Sequence, residues 1–159
     1  MSLRFPMRGL KISADFSGKR TAPSAESKRS LSFMPGVFEI SIEEQFSAAH
    51  ALRNYPGNCE HLHGHNWAVE VTVECEELNE IGIGIDFREV KQSVREALHR
   101  LDHVNLNELP QFCDINPSSE NIARHLYNEL SRKLNTEKIR VSRVRVSETP
   151  TSKASYREI

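Results

Sequence analysis

Three histidines, His50, His63 and His65, are the residues of this chain whose type and spacing point first to chemistry. A His-x-His pair on an extended strand sends both rings to one face, about 6.6–6.8 Å apart along the backbone. Two imidazoles can converge from there on one ion, and neutral imidazole is a good ligand for Zn²⁺. His50 supplies a third ring. Three protein ligands leave a fourth position open, the arrangement of a catalytic zinc. The competing reading is three ordinary histidines at a polar strand end. Three of one residue type on an inward-facing parity favour the metal. His61 shares that parity but lies nearer a turn, so it is read as a loop residue behind the ligands.

Other groups gather around this motif in sequence. Cys59 precedes His63 by four positions, and a thiol beside a cation and imidazoles can act as base or nucleophile. It could equally be a fourth, structural ligand or a small buried hydrophobe. Asp102-His103 follows a helix end, and an aspartate beside a histidine can fix its tautomer in a proton relay. Glu148 ends a strand on the inward parity of Val144 and Val146. A carboxylate there is costly without a partner. A ligand with guanidine-like donors would satisfy it, and so would Arg143, Arg145 or Arg157.

The elements that must position these groups are legible as periodicities. Phe38, Ile40, Ile42, Phe46 and Ala48 alternate with Glu39, Ser41 and Glu43, and His50 continues their parity. Trp67, Val69, Val71 and Val73 alternate with Ala68, Glu70, Thr72 and Glu74, and His63 and His65 share that apolar parity. Straight strands would put all three histidines at the same end of two neighbours. Pro56 and Gly57 mark a turn between them. Asp86 with Glu89 resembles a capping box. It opens a helix with Val90, Val94, Ala97, Leu98 and Leu101 on one stripe, ending near Asp102. A loop rich in Asn and Pro covers 103–117. Ser118 or Ser119 caps a second helix with Ile122, Ala123, Leu126, Tyr127, Leu130 and Leu134 inward. Ile139 and Val141, then Val144 and Val146, predict a third strand, and their change of parity predicts a bulge. A fourth strand is expected at about 153–158. The order, ββααββ, is an α+β plan with an antiparallel sheet and helices on one face. Its open edges would favour pairing into a larger ring or barrel.

Length and composition set the limits. The 159 residues carry a net charge of -1, with 38% hydrophobic and 27% charged residues, as in a soluble globular domain. No apolar run approaches the ~20 residues of a membrane-spanning helix. Overall neutrality argues against a dedicated nucleic-acid binder. Three cysteines and no secretory leader fit free thiols in the cytoplasm. Residues 1–33 hold seven basic side chains against Asp15 and Glu26, a charge of +5. This segment is read as a flexible basic extension, and 34–159 as the one domain. A solvated tail, a start codon assigned too early (Met34 follows directly) and an organelle transit peptide compete as explanations of the extension.

Taken in order, Phe46-Ser47-Ala48-Ala49-His50, Cys59-Glu60-His61-Leu62-His63-Gly64-His65-Asn66, Asp86-Phe87, Leu101-Asp102-His103-Val104-Asn105-Leu106-Asn107, Pro117-Ser118-Ser119-Glu120-Asn121 and Glu148-Thr149 form a set. The set resembles the 6-pyruvoyltetrahydropterin synthase / 6-carboxytetrahydropterin synthase family over about residues 37–158. The resemblance implies a tunnelling fold that assembles through a β-barrel into a homohexamer, a dimer of trimers. It implies Zn²⁺ on His50, His63 and His65, and 7,8-dihydroneopterin triphosphate as substrate. It also implies Cys59 as the proton-abstracting base and Asp102 with His103 as a relay, brought together at subunit boundaries. Glu148 matches the carboxylate that anchors the aminopyrimidine edge of the pterin, and Ser119 a hydroxyl beside that edge.

The three residues between Cys59 and His63 resemble the 6-carboxytetrahydropterin synthases of the queuosine (7-deazaguanine) pathway; the biopterin-forming members carry a longer insert. Glu60, three before His63, resembles a folate-pathway variant that releases 6-hydroxymethyl-7,8-dihydropterin. Holding both Cys59 and Glu60 implies support for both routes, against the reading of Glu60 as a solvated loop carboxylate. The alternatives are a 6-pyruvoyltetrahydropterin synthase, a His₃ zinc hydrolase or hydratase using zinc-bound hydroxide, and a non-enzymatic zinc module with four protein ligands.

Overall fold

A computed structural model describes residues 36–159. The flexible basic extension expected over 1–33 lies outside the described residues. Two long strands dominate, β1 (Phe38–His50) and β2 (His63–Cys75), antiparallel and paired along their whole length. Their register sets His50 opposite His63 and Ala48 opposite His65. With period-2 side-chain direction, that register sends all three imidazoles to one face at one end of the ladder.

The chain continues through α1 (Phe87–His99), β3 (Val104–Asn105), α2 (Ser119–Leu134), β4 (Ile139–Ser147) and β5 (Lys153–Tyr156). The strand order is β3-β1-β2-β4-β5. Both helices cover one face of the sheet. Val90, Val94, Ala97 and Leu98 of α1, and Ile122, Ala123, Leu126 and Leu130 of α2, are buried against Phe46, Trp67, Val69, Val71, Val73, Val144 and Val146. Each large side chain so buried contributes roughly 1.5–3 kcal/mol. Cys75 lies in this core, as its parity predicts, and burial pushes its thiol up. The opposite face is laced by Glu74 with Arg140 and by Glu70 with Arg145.

Four details differ from the sequence reading. The sheet is mixed rather than antiparallel, because β3 runs parallel to β1 beside Ala48 and Ala49. Its two residues are too few to show alternation. They are brought there by His103, whose backbone is left-handed (φ 58°) and whose N–H donates to Ser47 O at 2.6 Å. Helix α1 stops at His99 rather than near Asp102. Asp86 caps it through the Arg88 N–H at 2.8 Å, not through the Glu89 N–H of a capping box. The last strand ends at Tyr156. The bulge is where the parity change placed it: Thr72 faces Arg143 and Val73 faces Val141, leaving Ser142 unpaired in the ladder. Ser118, one of the two candidates, caps α2.

His125 in α2 supplies a pH test of this packing. Its ring lies 5.5 Å from that of Phe112. Burial pushes its imidazole below the ordinary value of 6.5, against the pull of Glu129. The unfolded chain therefore takes up the proton first as pH falls. Stability is fully present above about 6.5 and drains away below it. His125→Gln should flatten the fall in melting temperature of the metal-free protein between about pH 7 and 5.5. An unchanged slope would mean that burial of this ring is inconsequential.

Candidate metal centre and its surroundings

His50, the last residue of β1, is 1% exposed. Its Nδ1 lies 2.8 Å from the carbonyl oxygen of Pro117. His63, the first residue of β2, places its Nδ1 2.7 Å from the carbonyl of His61. A carbonyl only accepts, so both Nδ1 atoms carry the proton and both Nε2 atoms present lone pairs. Those two Nε2 atoms face one another at 3.1 Å. Two lone pairs at that distance repel unless a cation lies between them. The Nε2 of His65 is buried and has no hydrogen-bond partner; Glu148 Oε1 stands 2.9 Å away, but not in hydrogen-bonding alignment.

Together His50, His63, His65 and Glu148 each offer one donor atom, all within 4.8 Å of one another. For metal–nitrogen bonds of 2.0–2.1 Å, a tetrahedral shell has edges of about 3.3–3.4 Å. The 3.1 Å separation of the two Nε2 atoms is close to that edge. The donor set of three imidazoles and a carboxylate fits Zn²⁺. Burial holds the His50 imidazole below its ordinary value, assisted by the neighbouring His63 and His65 and opposed by the Pro117 carbonyl and Glu148. The ligand-competent neutral form is thereby favoured.

The support for these rings comes from three places. Trp67, fully buried, meets His50 and His65 edge-on, with ring centroids 4.9 and 5.2 Å apart. Asn107 clamps the backbone of Ala51, accepting from its N–H and donating to its carbonyl, both at 2.8 Å. Asn116 clamps Arg53 in the same way, at 2.8 and 3.0 Å. The loop leaving His50 is thus tied to the 105–117 segment that also supplies the Pro117 carbonyl. Sequence reasoning assigned no role to Trp67, Asn107, Asn116 or Pro117. The available signals were the apolar parity of Trp67 and the places of Asn107 and Pro117 in the ordered motif set. His61 does stand behind the ligands as expected, through its backbone carbonyl.

The other candidates are placed as follows. Cys59 sits half-buried in a 3₁₀ turn (Asn58–Glu60), its carbonyl accepting from Leu52 N at 2.8 Å. It is not part of the four-donor group, whose fourth member is Glu148. Glu60 and His61 are exposed on that turn. Asp102 accepts from Ser47 N at 2.8 Å through Oδ1, and its Oδ2 lies 2.8 Å from His103 Nδ1. The Ser47 N–H, with His103, holds the Asp102 carboxyl below the usual carboxylate range despite partial burial. The His103 side chain is 80% exposed. A shallow recess is lined by Ser47, Ala49, Gly64, His65, Asn66 and His103, so His103 and His65 open onto the same space. A separate recess of about 600 Å³ between Arg88 and His99 on the outer face of α1 holds none of these groups. Ser119 is the first residue of α2, beside the Ser118 cap.

Comparison with known proteins adds four findings. The family model described as 6-pyruvoyl tetrahydropterin synthase matches residues 39–159. The 6-carboxy-5,6,7,8-tetrahydropterin synthase of Bacillus subtilis is 33% identical over 130 residues, 77% of this chain and 87% of that protein. The 6-pyruvoyl tetrahydrobiopterin synthase of Drosophila melanogaster is 29% identical over 141 residues, 80% of this chain and 83% of that protein. Among solved structures, the 6-pyruvoyl tetrahydropterin synthase of Caenorhabditis elegans superposes with a TM-score of 0.70 at 24% identity. That match covers 78% of this chain and 97% of the other.

Proposed function

The chain belongs to the 6-pyruvoyl tetrahydropterin synthase family, and from that premise we propose that it is a zinc-dependent 6-carboxy-5,6,7,8-tetrahydropterin synthase acting on 7,8-dihydroneopterin triphosphate. The observation that carries the metal is the pair of Nε2 lone pairs facing one another at 3.1 Å, with both Nδ1 protons held by carbonyls. The short Cys59–His63 spacing supports the carboxytetrahydropterin product over the pyruvoyl one, and with it a role in the queuosine (7-deazaguanine) route.

When bound, zinc polarises the oxygens of the substrate side chain and makes a neighbouring carbon-bound proton easier to remove. Cys59 accepts that proton. Asp102 holds His103 through Nδ1, which leaves Nε2 free to exchange protons with the substrate. The exposure of the His103 ring fits a role at a boundary where a neighbouring subunit contributes Cys59. Glu148 anchors the guanidine-like edge of the pterin, and Ser119 stands beside that edge. Glu60, next to Cys59, is the carboxylate proposed to direct part of the flux to 6-hydroxymethyl-7,8-dihydropterin. The sheet leaves most of the outer edge of β1 and the outer edge of β5 unpaired among the described residues. This supports ring closure between copies, with a hexamer as the proposed assembly.

The test is product analysis by mass spectrometry after incubating zinc-loaded protein with 7,8-dihydroneopterin triphosphate. Carboxytetrahydropterin with acetaldehyde and inorganic triphosphate is the expected result. Hydroxymethyldihydropterin beside it would give Glu60 a function. Unchanged substrate, with zinc bound, would overturn the proposal.

A further inference from the structure

We infer that Glu148 is a removable fourth ligand: it closes the metal site while no substrate is bound and leaves it for the substrate ring. The inference rests on the reading of the site as a zinc-dependent pterin site and adds a second position for the residue proposed as its ring anchor. Glu148 Oε1 lies 2.9 Å from His65 Nε2, 3.6 Å from His50 Nε2 and 4.0 Å from His63 Nε2. With the 3.1 Å between His50 and His63, these separations bracket the edge of about 3.3–3.4 Å expected of a tetrahedral zinc shell. The carboxylate is therefore where a fourth ligand would be.

Nothing else among the described residues claims it. Arg143 and Arg145 of β4 point to the opposite face of the sheet, where they meet Glu70 at 3.8 and 2.8 Å. The backbone beneath Glu148 is firmly held. Glu148 N donates to Ser152 O at 3.1 Å, and the Thr149 hydroxyl accepts from Thr151 N and Ser152 N. The side chain alone is free to turn, and at 27% exposure it is reachable by an incoming ligand.

The chemistry of the two positions differs. On the metal, the carboxylate cancels part of the charge that acidifies a bound substrate oxygen. A cyclic guanidine offers two parallel N–H donors, which suit a carboxylate bidentately. A ligand bearing that edge draws Glu148 away and opens the fourth position as its own side chain arrives. A diol without the edge meets a closed site. Ring recognition and metal activation are thus one event, a form of induced fit that gives specificity.

Cobalt(II) tests this without turnover. Metal-free protein is titrated with Co²⁺, and the visible spectrum reports coordination. The wild type should show the intense bands of four-coordinate cobalt. In Glu148→Gln the bands should shift and Co²⁺ affinity should fall by about tenfold or more. Glu148→Asp, which keeps a shorter carboxylate, should fall between the two. Neopterin, which carries the ring and the diol but no triphosphate, should shift the wild-type bands as it binds. Superimposable spectra and equal affinities for wild type and Glu148→Gln would overturn the inference. So would neopterin that binds, by equilibrium dialysis, without altering the wild-type bands, a measurement that needs no variant to fold. Failure of the proposed activity reads differently: zinc-loaded wild type leaves the triphosphate substrate intact whatever the cobalt spectra show.

Discussion

Replacing Cys59 with alanine should abolish carboxytetrahydropterin formation while leaving the metal bound. A positioned general base is worth about 10²–10⁴ in rate, or about 2.7–5.4 kcal/mol of barrier. The thiol stands outside the four-donor group, so its loss should remove the proton acceptor and nothing else. The check is single-turnover kinetics beside zinc content for each variant. Zinc lost together with activity would make Cys59 a ligand and sink the assignment. The neighbouring carboxylate sharpens the test. Glu60 is exposed on the same turn. If it directs a second route, Cys59→Ala retains hydroxymethyldihydropterin as its product, and Cys59→Ala with Glu60→Gln makes neither. Should the Cys59→Ala variant make no pterin product at all, Glu60 has no independent route and the folate branch falls away.

Replacing His63 with alanine should cost more, because it removes the metal and with it every step the metal assists. His63 is the ligand to choose. It begins β2 at an accessible end of the ladder, with its side chain 29% exposed, whereas His50 is buried at 1%. The fold should survive its removal. Mutating a residue behind a metal ligand typically costs 10–100-fold in affinity, and loss of the ligand itself should cost more than that. The protein carries its own reporter. Trp67 is the one tryptophan of the chain and packs against both His50 and His65. Cobalt should quench its emission in the wild type and saturate at one equivalent per chain. In His63→Ala, saturation should be lost at those concentrations and turnover should vanish. Quenching that saturates as in the wild type would remove His63 from the ligand set.

Both predictions start from features that were legible in the sequence. The three histidines could be placed because side-chain direction along a strand is local. Once Phe46 and Ala48 face inward, His50 must follow, and Trp67 carries His65 and His63 with it. The bulge at Ser142 and the two helical stripes were legible for the same reason, since each is a periodicity of consecutive residues. The motif set from Phe46 to Thr149 was specific because it is ordered along the chain, and order is a property of sequence alone.

What only the tertiary structure decided concerns partners far apart in the chain. Glu148 had two destinations open to it, a ligand edge or an arginine, and meets the histidines because it follows the inward parity of Val144 and Val146, whereas Arg145 points to the opposite face and pairs with Glu70. The tautomer of His50 depends on the carbonyl of Pro117, and a carbonyl has no residue type by which to be recognised. The clamps of Asn107 and Asn116 bind backbone for the same reason. Strand β3 exists because His103 takes a left-handed turn beside Ser47, and its two residues are too short to leave a pattern. Local periodicity brought the three histidines together. Long-range packing chose what holds them, because hydrogen-bond partners are set by distance in space and not by periodicity along the chain.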